Sequence, residues 1–291
     1  MAVSFDADAA NAIFTLPRPD GSFDPDFTAY LNGLGRRRPS VLFAFAPKCA
    51  GTFLRTAAIH AVDGQLTRIV HAQGGRDGTP YLPTYILYLA GGVPQATLVA
   101  HVHMQAFAAN RRFIEALDLK PVIMLRSVPD MLLSYLDMLD GGPVTPEHWL
   151  NGYIPPDFSR MDETEKSDFV VEMLGPWYAS YYATWSDYAA EAPERVCVLR
   201  YADFKSDPAA VLHTALKHSG LERTPQECRE AVDLAWEERT ALRFSKGEQG
   251  RGTAHFNAAQ LARLESLLFR HCHLAPLRDE LMPASTPRAA S

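Results

Sequence analysis

Residues 41–60 constrain the fold of this chain more than any other stretch. The apolar run at 41–46 predicts a short buried strand, and Pro47 ends it because proline cannot donate to a sheet ladder. Residues 48–52 are small or polar, and the pattern from Phe53 to Asp63 predicts a helix. A strand, a tight loop and a helix N-terminus bring unpaired backbone N–H groups and the positive end of the helix dipole together. We therefore expect this loop to bind an anion.

The side chains of the loop indicate which class of anion it would bind. Lys48 adds a full positive charge and Thr52 adds a hydroxyl donor, so a phosphate-like or sulfate-like group is expected. A Walker A loop is excluded, because GxxxxGKS/T is absent and the lysine precedes the glycine. Cys49 and Arg55 have the C-x5-R spacing that cysteine-dependent phosphatases use, and a thiol at a helix N-terminus would have a depressed pKa. A turn without any ligand is a third alternative.

Composition excludes several classes of function. The 291 residues are 47% hydrophobic and 21% charged, which is typical of one large α/β domain or two small ones. A net charge of −6 without a basic stripe argues against nucleic-acid binding. Four scattered cysteines show no metal-binding spacing, so we expect reduced thiols, no metal and a cytoplasmic location. The N-terminal residues do not resemble a signal peptide, and no apolar run is long enough to span a bilayer.

Apolar segments alternate with helical patterns along the chain. Further strands are predicted at 65–70, 96–103, 120–125 and 195–200. Helices are predicted at 105–117, 129–139, 176–190, 208–219, 224–236 and 257–272. This alternation predicts a single α/β domain with a central parallel sheet flanked by helices. We place the domain at 40–283, after a lead-in at 1–39 and before a disordered tail at 284–291.

Three stretches of the second half stand out from this pattern. Residues 140–175 are rich in proline and charge, and predict an insertion that forms a lid over a second substrate. The helix predicted at 176–190 has aromatic residues at helical spacing, so we expect Trp177 and Trp185 to pack in the core. Residues 244–252, FSKGEQGRG, predict a glycine-rich basic loop.

Several segments repeat, in order, the motifs of one enzyme family. Residues 126–134, RSVPDMLLS, are similar to R-x-P-x-D-x-x-x-S, with the proline one position late. The segments 176–185, 198–212 and 244–256 resemble WYxHxxxW, LRYEDLKKDP and RKGxxGDWKxxF, and 47–53, PKCAGTF, resembles a 5′-phosphosulfate loop. Over residues 40–260 the chain resembles the sulfotransferases that use 3′-phosphoadenylyl sulfate (PAPS).

The resemblance implies a P-loop-like fold, PAPS as cofactor, and in-line transfer of its sulfuryl group to a hydroxyl or amine. It implies that Lys48 stabilises the leaving group and that His103 is the general base, with His101 as a helper on the same strand face. The cofactor residues that it implies are Lys48, Cys49, Ala50, Gly51, Thr52, Phe53, Arg126, Ser134, Tyr201, Ser245, Lys246 and Gly247. In the family, the first five positions hold the 5′-phosphate, the phenylalanine and tyrosine positions face adenine, and the rest hold the 3′-phosphate.

The chain departs from the family pattern at several of these positions. Ala50 stands where many members have glycine, and Phe53 replaces tryptophan. Ser245 replaces an arginine, for which Arg243 or Arg251 is a candidate substitute. An apolar or ring-containing acceptor, such as a lipid, phenol or natural product, is predicted from the aromatic residues of the insertion and of 71–95. These are Tyr81, Tyr85, Tyr88, Trp149, Tyr153 and Phe158. Two other hypotheses stay open: the phosphatase, and a nucleotide-binding P-loop module without catalysis.

Overall fold

The structure is a computed structural model, and it describes residues 18, 23–37, 39–67, 69, 80–81, 85–86, 96–141, 154–155, 157–238 and 248–284. Much of the predicted lead-in, part of the insertion, residues 239–247 and the tail therefore lie outside the described residues. Within the described part, no helix is long and apolar enough to cross a membrane.

Five parallel strands form one sheet, in the order β2-β3-β1-β4-β5. The strands are β1 Ser40–Phe43, β2 Gln65–Thr67, β3 Leu98–His101, β4 Pro121–Leu125 and β5 Cys197–Arg200. The three central strands are almost fully buried, as expected for apolar runs in a sheet covered on both faces. This architecture confirms the predicted α/β class with a central parallel sheet.

Helices connect and flank the strands. They are α1 Pro25–Arg37, α2 Gly51–Val62, α3 Ala108–Ala116, α4 Val128–Gly141, α5 Glu163–Glu191, α6 Tyr201–Ser206, α7 Pro208–His218, α8 Pro225–Glu237, α9 Arg251–His255, α10 Ala258–Phe269 and α11 Arg278–Leu281. Two 3₁₀ turns lie at Phe158–Arg160 and Cys272–Leu277. The carboxyl ends of parallel strands meet at one edge, where open α/β sheets bind ligands.

Helix α5 differs most from its prediction, because it begins at Glu163 instead of 176 and runs for 29 residues through Pro176. A capping box explains the early start: Asp162 accepts from the N–H of Glu165, whose side chain accepts in return. The second part of the predicted insertion is therefore helical. Trp185 is fully buried, which confirms its predicted core position, and Trp177 is partly buried against that core.

Other boundaries differ for local reasons. Helix α1 occupies 25–37 of the predicted lead-in, starting at a proline that suits the first turn of a helix. Helix α2 begins two residues before Phe53, because Gly51 and Thr52 already have helical geometry. Residues 251 and 252 of the predicted glycine-rich loop belong to α9. Asn257 is the N-cap of α10 and forms a capping box with Gln260.

Candidate active site

The loop from Ala44 to Ala50 leaves the end of β1 and enters α2 in a strained conformation. Lys48 and Ala50 have φ angles of 66° and 57°, in the left-handed region. That region costs a residue with a side chain about 1–2 kcal/mol. Alternation into the left-handed region turns successive backbone N–H groups toward one side, which makes a concavity for anions. Ala50 therefore adopts the backbone for which the resembled family often uses glycine.

Gly51, the first residue of α2, packs directly against His101 at the end of β3. A methyl carbon added to Gly51 would lie 2.3 Å from His101 Nε2, so no side chain fits there. The His101 ring is also 6.2 Å from the Phe45 ring, centroid to centroid. His101 is 7% exposed. The structure therefore places this histidine against the N-terminus of α2.

His103 lies two residues beyond His101, with ring centroids 4.9 Å apart and planes at 90°. Its Nδ1 is 2.8 Å from the carbonyl oxygen of Phe45. A carbonyl can only accept, so Nδ1 carries the hydrogen and donates it. In a neutral imidazole the other nitrogen, Nε2, is then an acceptor. This half-buried histidine lies on the same edge of the sheet as the loop.

The side chain of Lys48 is half-buried, and its Nζ lies 3.6 Å from Met138 Sδ on α4. The backbone oxygen of Lys48 accepts a hydrogen bond from Arg126 Nη1. Arg126 follows the end of β4, so it ties the loop after β1 to the neighbouring strand. The charges of Lys48 and Arg126 thus belong to one edge of the sheet.

Arg126 is buried, and its guanidinium carbon lies 3.9 Å from the centre of the Tyr201 ring. Within the described residues, Arg126 Nε is buried without a hydrogen-bond partner. A buried donor of this kind normally finds an acceptor, which fits an anionic group at this place. Burial is the main cause that raises the pKa of Tyr201, although the nearby Arg126 charge opposes it. Ser134 is buried further along α4.

The Cys49 side chain packs against α4. Its Sγ lies 3.1 Å from Met131 Sδ, and the residue is fully buried. Burial raises the pKa of the Cys49 thiol to about 12, despite the opposing charge of Arg126. Such a thiol is protonated at neutral pH, so it is not a nucleophile. This geometry contradicts the phosphatase hypothesis built on Cys49 and Arg55.

The Phe53 ring is 1% exposed and packs in an aromatic cluster. Its centroid is 4.7 Å from that of Trp236 and 5.6 Å from that of Phe204. Trp236 is partly buried beside this ring. The contact of Phe53 with adenine stays a prediction. Ser245, Lys246, Gly247 and Arg243 lie outside the described residues.

Mouse sulfotransferase SULT7A1, solved in complex with PAP, has a similar structure with a TM-score of 0.59. The match covers 85% of this chain and 89% of that chain at 13% sequence identity. The chain has a sulfotransferase fold. No protein-family model matches the sequence, and no curated protein matches it.

Two further solved structures match less closely. A sulfotransferase from Alicyclobacillus acidocaldarius has a TM-score of 0.41 and 18% identity, over 80% of this chain and 96% of that chain. Retinol dehydratase in a complex with retinol and PAP has a TM-score of 0.44 and 14% identity, over 91% of this chain and 92% of that chain.

In this sulfotransferase fold, the segment before α9 is fastened to α4. Asp130 accepts hydrogen bonds from the backbone N–H groups of Gly250 and Gly252. Arg251 pairs with Asp137 at 3.1 Å and lies 3.7 Å from Glu248. Because both partners are carboxylates, Arg251 is already engaged, which disfavours it as the substitute for the arginine missing at 245.

Sequence reasoning missed the polar role of the aromatic stripe on α5. The hydroxyls of Tyr178 and Tyr181 donate to the carbonyls of Pro47 and Ala44, at 3.0 and 2.7 Å. The Tyr182 hydroxyl lies 3.2 Å from both the N and the O of Arg126. Helical spacing identified the buried face of α5, and buried tyrosine hydroxyls usually need a partner, which was the available signal.

Proposed function

We propose that the protein is a PAPS-dependent sulfotransferase that modifies a hydroxyl or amine of a small molecule. One observation carries the proposal: His103, whose Nδ1 lies 2.8 Å from Phe45 O, is on the same sheet edge as the Lys48 loop and Arg126. A base, an anion-binding loop and buried cationic groups are what in-line transfer between an anionic donor and a protonated acceptor requires.

The residues present fit the cofactor at both of its ends. The concavity at 48–51 and the N-terminus of α2 suit the 5′-phosphosulfate. The buried Nε of Arg126 suits the 3′-phosphate, with Ser134 as a second donor. Tyr201 and Phe53 supply rings for adenine. When bound, PAPS supplies the activated sulfuryl group.

The residues of the chain then have separate tasks. His103 takes the proton of the acceptor on Nε2, while Phe45 O holds the ring in orientation. Lys48 stabilises negative charge at the loop, which its left-handed backbone and the bond from Arg126 hold in place. His101, packed on Gly51, is a candidate second donor near the same loop.

The acceptor is proposed to be an apolar or ring-containing molecule, under a lid formed by part of 140–175. Of the aromatic residues that suggested this, Tyr85 and Phe158 are buried and belong to the core, whereas Tyr81 is 45% exposed. Tyr88, Trp149 and Tyr153 lie outside the described residues. We also propose a cytoplasmic location, because all four cysteines are free.

Incubation with isotopically labelled PAPS and a metabolite extract tests this function. Mass spectrometry should find a metabolite that gains one labelled sulfuryl group, and the His103→Asn protein should form it at least about a hundredfold more slowly. Calorimetry should show much tighter binding of PAP than of 5′-AMP, because each contact to a charged phosphate contributes about 1.5–3 kcal/mol. Equal affinity for the two nucleotides would contradict the proposed 3′-phosphate site and the proposed cofactor.

A further inference from the structure

Asp130 makes two hydrogen bonds that no catalytic role assigned above uses. Its Oδ1 accepts from the N–H of Gly252 at 2.7 Å, and its Oδ2 accepts from the N–H of Gly250 at 2.9 Å. The residue is 4% exposed. Hydrogen bonds from backbone N–H groups to a buried carboxylate are strong. The three residues, hereafter the Asp130 connection, join α4 to the segment that enters α9.

Both glycines are needed for this connection. Gly250 has a φ of 79°, in the left-handed region that favours glycine. A methyl carbon on Gly252 would lie 2.1 Å from the carbonyl carbon of Pro129 and 2.4 Å from the nitrogen of Asp130. These neighbours are backbone atoms and cannot turn away. The connection therefore requires a carboxylate on one side and the absence of side chains on the other.

The connection lies between two residues of the proposed 3′-phosphate site. Arg126 precedes Asp130 by four residues, and Ser134 follows it by four, one helical turn further along α4. We propose that Asp130 is a positioning residue: it fixes the first turn of α4 against 250–252, and thereby holds Arg126 and Ser134 in the arrangement that binds the 3′-phosphate. This inference rests on the proposed function.

The direction in which one substitution changes PAP affinity distinguishes a positioning role from a purely electrostatic one. Asp130→Asn removes a negative charge near the site of an anionic phosphate, which by charge alone should strengthen PAP binding. The same change replaces one acceptor oxygen by an NH₂ group that faces a backbone N–H, which breaks the connection. If Asp130 acts by positioning, PAP binding becomes weaker although a repulsive charge has been removed.

Calorimetry with PAP and 5′-AMP tests the inference on four proteins. We expect Asp130→Asn and Gly252→Ala each to weaken PAP binding by about tenfold, and 5′-AMP binding by less than about twofold. Gly252→Ala keeps the charge of Asp130 and disturbs the connection from the other side. Asp140→Asn is the matched control, because it removes the same charge from the same helix and breaks only an ion pair with Lys166, which does not involve residues 250–252. It should change both affinities by less than about twofold.

Two outcomes would overturn the inference while leaving the proposed function intact. In the first, the wild type prefers PAP over 5′-AMP but Asp130→Asn binds PAP as tightly or more tightly. In the second, the amides of Gly250 and Gly252 exchange hydrogen in the wild type as fast as exposed amides, and PAP does not slow them. This exchange measurement needs no variant, so it decides the matter even if the substituted proteins fail to fold. A wild type without PAP preference would instead contradict the proposed function.

Discussion

The guanidinium of Arg126 lies on the ring of Tyr201, with 3.9 Å between the guanidinium carbon and the ring centre. One residue follows β4 and the other follows β5, so the contact joins the ends of two neighbouring strands. A desolvated cation on an aromatic ring contributes about 2 kcal/mol. The ring of Tyr201 thus orients the charge proposed for the 3′-phosphate.

Two substitutions of Tyr201 should distinguish the contribution of its ring to PAP binding from that of its hydroxyl. Tyr201→Leu should weaken PAP binding about 30-fold, because about 2 kcal/mol of stacking is lost. The loss should exceed that for 5′-AMP, since Arg126 is proposed to contact only the 3′-phosphate. Tyr201→Phe keeps the ring and should bind PAP within about threefold of wild type. Similar losses for both variants in calorimetry would show that the hydroxyl matters, and not the stacking.

Substitution of His103 should remove the base without disturbing the cofactor site. His103→Asn keeps a side-chain N–H for Phe45 O but has no basic nitrogen, so kcat should fall by about 10²–10⁴. PAP affinity should stay close to that of the wild type. His101→Ala should lower kcat by less, because His101 is proposed as a helper. Steady-state kinetics on the acceptor checks both variants. If His101→Ala abolished turnover and His103→Asn did not, His101 would be the base.

The thiol of Cys49 should be unreactive in the folded protein. At pH 8 a thiol with a pKa of about 12 is almost entirely protonated. Iodoacetamide should therefore label the exposed Cys272 and leave Cys49 unmodified in the folded protein, as read by peptide mass spectrometry. Cys49→Ser should retain most sulfuryl transfer, since only the backbone of residue 49 is proposed to contact the cofactor. Loss of transfer in a folded Cys49→Ser protein would contradict this geometry.

The raised pKa of Cys49 should make the free energy of unfolding depend on pH. Its pKa is raised from 9.0 to about 12 in the folded protein, so the folded state holds a proton that the unfolded state releases. Its contribution is fully present below pH 9 and falls by about 1.4 kcal/mol per pH unit between 9 and 12. Denaturant unfolding should show Cys49→Ala losing stability less steeply than wild type above pH 9. Parallel curves would mean that the pKa of Cys49 is not raised in the folded protein.

The tyrosine hydroxyls on α5 should stabilise the loop. Tyr178→Phe removes the donor to the buried Pro47 carbonyl and should lower the free energy of unfolding by about 1–3 kcal/mol. Tyr188→Phe is a matched control, because its hydroxyl bonds to the exposed Glu115 carboxylate, which water can solvate instead. That change should cost less than about 1 kcal/mol. Equal losses in urea titrations would argue against a special role for the Pro47 bond.

The strand, loop and helix at 41–60 could be predicted from sequence, because they depend on short-range signals such as Pro47 and the apolar run before it. The length of α5 could not. Pro176 inside a helix removes only one backbone hydrogen bond, and the packing of the buried aromatic face outweighs that loss.

Long-range contacts at the site were also not predictable. Periodicity showed which face of α5 is buried, but not that Tyr181 would reach the Ala44 carbonyl, 137 residues away. The contact between Asp130 and Gly252 spans 122 residues and involves a backbone atom, which no side-chain pattern reports. The orientation of Cys49 depended on its left-handed neighbours, since the C-x5-R spacing alone fits both a nucleophile and a buried thiol.

The strained loop at 44–50 has a consequence for the thermodynamics of binding. Tyr178, Tyr181 and Arg126 fix three of its carbonyls, so the loop takes its left-handed turns when the chain folds, before any nucleotide arrives. Conformational entropy is then lost during folding and not during association. If the loop binds the proposed cofactor, the nucleotide gains its contacts without first ordering the loop.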